Sequence, residues 1–137
     1  MSSWLDLCSG TQAEAALAAC VPNASISPDR LFQAARSAGL LVSFIRIENF
    51  ESLSKQQLFD ELFSDRELPD ERVFVIADDL LSSQAAFTFE GPILREAVMQ
   101  EGRFLFGGDL FFIWPSLGFV TVFHHEGGYF HVGPPMA

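Results

Sequence analysis

Asp109 to Val132, DLFFIWPSLGFVTVFHHEGGYFHV, sets three apolar, aromatic-rich runs around two turn signals, and an antiparallel meander is the natural way to fold it. In Pro115-Ser116-Leu117-Gly118 the proline presets one backbone angle and the glycine accepts positive φ, so Trp114 is expected to pair with Phe119. Gly127-Gly128 reads as a two-residue hairpin turn, which sets Glu126 opposite Tyr129, His125 opposite Phe130 and His124 opposite His131. Strand side chains alternate, so Leu110, Phe112, Trp114, Phe119, Thr121, Phe123, His125, Phe130 and Val132 then share a core face. The other face carries Phe111, Ile113, Val120 and Val122 at one end, and His124, Glu126, Tyr129 and His131 at the other. The reading depends on register, because a slip by one residue exchanges the faces.

Upstream, the chain alternates helix and strand signals. Thr11 and Glu14 form a capping box for an Ala-rich helix over Gln12 to Cys20, stopped by Pro22. Ser27-Pro28-Asp29 gives a cap, a first-turn proline and an acid at the positive helix end, with Ile26 and Leu31 as a staple. This second helix ends at Gly39 and buries Leu31, Ala34, Ala35 and Ala38. Leu41 to Ile47 is largely apolar on both alternating sets and reads as a well-covered strand. A third helix starts from Ser54, where Ser54 and Gln57 make a capping box and Leu53 and Leu58 a staple. Leu58, Phe59, Leu62 and Phe63 form its buried stripe, and Asp60, Glu61, Asp65 and Arg66 face largely to solvent before the exit at Pro69.

Arg72 to Ala77 is a second strand, and the strand, helix, strand succession predicts a right-handed crossover between parallel neighbours. Leu80 to Glu90 reads equally as a loop, an edge strand or a helix start. Gly91-Pro92 opens a fourth helix over Ile93 to Gln100, with Gly102 as its stop. The expected architecture is α+β: N-terminal helices, a strand-helix-strand-helix unit and a C-terminal antiparallel three-strand meander, with the helices packed on one sheet face. A length of 137 residues suits a single α+β domain over 1–137.

Eighteen acidic residues against eight basic give a net charge of −10, which argues against nucleic acid as a partner because no basic stripe can release its counterions. A protein with a basic surface is the expected partner, although such a charge also serves solubility. No apolar run is long enough to cross a bilayer, and Ser2-Ser3-Trp4-Leu5-Asp6 lacks the pattern of a secretory signal, so cytoplasmic residence and no membrane partner are expected. Cys8 and Cys20 have no CxxC spacing and read as two buried thiols. Oligomeric state is not encoded in any recognisable pattern.

Candidate site residues fall in two groups. Asp60, Glu61, Asp65, Glu67, Asp70, Glu71, Asp78 and Asp79, set against Arg66 and Arg72, leave a local balance of −6 between positions 60 and 79. They read either as solvated charges or as a lure for a basic partner. His124, Glu126, Tyr129 and His131 are the second group. Two facing imidazoles and a carboxylate at His124, Glu126 and His131 could hold a divalent metal or work as acid and base, but no group to orient the imidazoles, no nucleophile and no phosphate loop accompanies them. No cofactor, metal or catalytic set is therefore assigned. Gly107-Gly108 and Gly127-Gly128 are turns rather than a dinucleotide fingerprint.

From Val42 to Asp70, a strand followed by ENFESLSKQQLFDELFSDRELPD resembles the opening of barstar-type ribonuclease inhibitors, with a strand, a capped Leu-rich helix and a proline exit in that order. The resemblance covers under a quarter of the chain. The Asn-Trp-Asp-Ala segment that follows in that family is absent, and Glu71-Arg72-Val73-Phe74 runs into a strand instead, so no binding residue is carried over. The resemblance implies a small acidic bacterial immunity protein that masks a toxin, such as a basic nuclease. Two alternatives stand beside it: an acidic secretion chaperone that binds an effector, and a small metal-dependent or acid/base enzyme using the His124, Glu126 and His131 face.

Overall fold

A computed structural model describes residues 6–23, 27–40, 42–48, 52–63, 71–77, 85–90, 109–124 and 128–133. The fold is α+β with a fully antiparallel sheet. Its elements run β1 (Asp6–Ser9), α1 (Gly10–Cys20), α2 (Pro28–Ser37), β2 (Val42–Arg46), α3 (Lys55–Phe63), β3 (Arg72–Ala77), β4 (Ala85–Glu90), β5 (Leu110–Trp114), β6 (Phe119–Phe123) and β7 (Gly128–Val132). The seven strands lie in the order β1-β4-β3-β5-β6-β7-β2.

Local signals account for the helix ends. Ser27 is extended before Pro28, although its side chain makes no capping bond. At the other end Gly39 takes φ +74°, which only glycine adopts freely, and its N–H donates to the Arg36 carbonyl while Leu40 N–H donates to Ala35. This pair of bonds is a Schellman motif, and it closes α2 where Gly39 predicts. Ahead of α3 the capping box is reciprocal: Ser54 N–H donates to Gln57 Oε1 at 2.8 Å, and Gln57 N–H to Ser54 Oγ at 3.1 Å. By contrast α1 begins at Gly10, so Thr11 lies inside its first turn rather than capping it.

The helices occupy both sheet faces, not one. Ala13, Ala16, Leu17 and Cys20 of α1 and Leu31 and Ala35 of α2 pack with Ile76, Phe111, Ile113, Val120, Val122, Phe130 and Val132. On the opposite face α3 buries Leu58, Leu62 and Phe63, and the Phe63 ring meets Phe112 and Trp114 edge-on at 5.5 and 5.9 Å. The sheet is thus the middle of three layers, which is why strands β5 to β7 are buried along their whole length. Among the described residues no helix is long and apolar enough to cross a membrane.

Sheet order corrects the expected crossover. Following the antiparallel pairs across the sheet, β2 and β3 run in the same direction, but β5, β6 and β7 lie between them. The β2-α3-β3 unit therefore spans the meander instead of joining neighbours. Residues 85–90, ambiguous in sequence, form β4, an interior strand between β1 and β3. The fourth helix expected over 93–100 lies outside the described residues.

The meander itself forms as expected, with one change of register. Trp114 pairs with Phe119, and Gly118 takes φ +64° in the turn between them. In the second hairpin, however, Phe123 pairs with Tyr129, Val122 with Phe130 and Thr121 with His131. This is three residues away from a Gly127-Gly128 turn. An odd shift exchanges faces, so Tyr129 and His131 join Thr121 and Phe123 beneath α3, while Phe130 and Val132 turn to the α1 and α2 layer. Gly128 belongs to β7, where a Cβ would lie 2.7 Å from Phe44 Cζ. Its glycine makes room for an aromatic ring on the neighbouring strand rather than for a tight turn.

Candidate functional site

Tyr129 and His131 on β7 are packed into the core rather than open to a ligand. His131 is 7% exposed, and its Nδ1 is hydrogen-bonded with Thr121 Oγ1 at 2.7 Å, the direction being set by the imidazole tautomer. Phe119 stacks on the imidazole at 5.6 Å with an interplanar angle of 19°, Tyr129 meets it edge-on at 5.6 Å, and Phe63 of α3 lies 6.4 Å away. Tyr129 is also buried, and its hydroxyl donates to Glu61 Oε2 at 3.3 Å. Beside them Trp114 Nε1 is buried without an acceptor among the described residues.

Consequently the proposed second site is divided. Tyr129 and His131 do share a face, but they lie beneath α3 and hold it to the sheet. His124 lies just past β6, its N–H donating to the Gly128 carbonyl at 2.7 Å, and is not the cross-strand partner of His131. Glu126 and His125 lie outside the described residues. Among the described residues no three His, Cys, Asp or Glu side chains cluster as metal ligands would.

The acidic group is divided as well. Glu61 is exposed on α3, with Asp60 half-buried beside it. Glu71 is exposed just ahead of β3 and accepts a hydrogen bond from Ser116 Oγ at 3.3 Å. Asp65, Glu67, Asp70, Asp78 and Asp79 lie outside the described residues. Cys20 is a free, buried thiol whose S–H points at the Trp114 carbonyl oxygen, 3.9 Å away, and burial pushes its pKa up from 9.0 to about 11. The side chain of Cys8 lies outside the described set. A protonated thiol held in this way is a core group, not a nucleophile.

Among the described residues, the most exposed large apolar side chains lie where the sequence suggests cover. Phe44 is 57% exposed and Ile45 44% exposed, both on β2, which pairs with β7 on one side and, among the described residues, is the last strand of the sheet on the other. The expectation of a well-covered strand is therefore overturned: β2 is a terminal strand. Phe44 leans over Gly128 and meets Phe32 edge-on at 6.5 Å, on the α2 side of the sheet. Ile45 points to the other side, where its register partner is Tyr129, the residue bonded to Glu61. Arg46 and Glu48 are exposed at the end of the strand. One sequence signal does mark an edge: a charged residue, Arg46, interrupts the apolar run Leu41 to Ile47.

Phe44 and Ile45 thus form an exposed apolar pair on β2, with Arg46 and Glu48 exposed next to them. No protein-family model, no curated protein and no solved structure matches the chain.

Proposed function

We propose that this chain is an acidic binding protein of the immunity or inhibitor type, which neutralises a cognate protein toxin in the cytoplasm by covering a basic surface on it. A basic nuclease is the leading target class. One observation carries this reading: on a chain of net charge −10, the large exposed apolar side chains of the described residues, Phe44 and Ile45, sit together on a terminal strand. Apolar anchors ringed by charge are the usual make-up of a protein interface. The negative field speeds encounter with a basic partner and disfavours acidic ones. The barstar-like pattern over Val42 to Asp70 supports the same reading, since it includes β2 and α3, the two elements that bear Ile45 and Glu61.

The test is co-expression. Each reading frame beside the gene is expressed alone and together with this chain. The reading expects one of them to arrest growth, this chain to restore it, and the two products to copurify as a stable complex. If no neighbour is toxic and none forms a complex, the inhibitor reading fails.

A further inference from the structure

Resting on that reading of an acidic binder, we propose that the partner contributes an extended segment, with basic residues alternating with apolar ones, that adds to the sheet as a strand along the outer edge of β2, which pairs with no strand among the described residues. The argument begins with direction. Phe44 and Ile45 are consecutive strand residues and so emerge on opposite faces of the sheet. A partner that docked against either face would cover one of them and leave the other in water. A strand laid along the edge sends its own side chains to both faces and covers both.

The edge itself is suited to this. All five residues of β2 hold a continuous register with β7, from Val42 opposite Val132 to Arg46 opposite Gly128, without a bulge or a proline. Natural edge strands usually carry one of those devices, or several charges, against unwanted pairing. Here the strand has only Arg46. Phe44 leans over Gly128 and meets the Phe32 ring edge-on, while more than half of it stays exposed to a partner.

Charge selects the occupant. On the Ile45 side the Glu61 carboxylate lies at the hydroxyl of Tyr129, one strand in from the edge. Lysine or arginine side chains of an added strand therefore lay their aliphatic stems over Ile45 and carry their charge towards Glu61 on that side, and its apolar side chains meet Phe44 on the other. A second copy of this chain would bring its own charge of −10 to the edge and is the poorer occupant.

The experiment titrates the full chain against three labelled ten-residue peptides by fluorescence anisotropy at low salt: one alternating Lys and Val, the same peptide N-methylated at alternate valines, and one alternating Glu and Val. N-methylation removes backbone donors but keeps the charge. The proposal expects the Lys/Val peptide to bind. It expects N-methylation and Ile45→Lys each to weaken binding by about tenfold or more, equivalent to about 1.4 kcal/mol, and Ile45→Val to restore it. The Glu/Val peptide is expected not to bind, and the urea midpoint of Ile45→Lys confirms that the variant folds. Binding that is salt-sensitive but indifferent to N-methylation and to Ile45→Lys overturns strand addition while leaving the acidic-binder reading in place. No binding of the Lys/Val peptide overturns strand addition and leaves the inhibitor reading to the co-expression test. A dimer in sedimentation that Ile45→Lys converts to monomer identifies a second copy as the occupant and overturns the proposal.

Discussion

Thr121 and His131 face each other across β6 and β7, joined by a 2.7 Å hydrogen bond in the buried layer under α3. Thr121→Val removes a bond partner from a buried imidazole nitrogen and is expected to destabilise the fold by about 1–3 kcal/mol. Combining it with His131→Phe removes both ends of the bond, so the double variant is expected to lose less than the two single losses added together. Urea unfolding followed by tryptophan fluorescence measures this coupling. Strict additivity would show that the pair contributes nothing as a pair.

Gly133 and Gly118 differ in why they are glycine. Both have positive φ, +112° and +64°, but a Cβ on Gly118 would meet open space, whereas one on Gly133 would run into the Gly118 carbonyl oxygen. Gly118→Ala is expected to cost about 1–2 kcal/mol, the strain of a left-handed residue. Gly133→Ala adds a backbone clash and is expected to cost clearly more. Unfolding midpoints of the two variants settle the order, and equal losses would contradict it.

Cys20 makes stability depend on alkaline pH. Burial raises its thiol pKa from 9.0 to about 11, so the folded state resists forming a thiolate that the unfolded chain forms readily. The stability this contributes is complete below pH 9 and is lost as pH rises towards about 11. The stability gap between the native chain and Cys20→Ala is therefore expected to shrink between about pH 8 and about pH 10.5 in urea titrations. A gap that stays constant would show that the thiol is not shielded.

How much of this was legible beforehand depends on whether the cause was local. The Ser54–Gln57 box, the Gly39 stop and the Pro115–Gly118 turn are set by residues a few positions apart, and each forms where the sequence puts it. Gly128 misleads because its reason is distant: the Phe44 ring, on another strand, occupies the space a Cβ would take. Read as part of a turn, it moved β7 by an odd number of residues and placed His131 with His124 instead of Thr121. The exposure of Ile45 is hidden in the same way. An apolar run on both alternating sets suits an interior strand, and only the sheet order, with β2 outside β7, places it at an edge. Of the candidate acids, Glu61 acquires a role through its bond to Tyr129, a contact between residues 68 positions apart.

Amide hydrogen exchange across β2 tests the central claim most directly, because strand addition leaves a mark on backbone N–H groups that a purely electrostatic contact does not. With the Lys/Val peptide present, alternate amides between Val42 and Arg46 are expected to slow by about tenfold or more, with little change in the interior strands β5 and β6. Unchanged exchange throughout β2 while the peptide is bound would contradict the account.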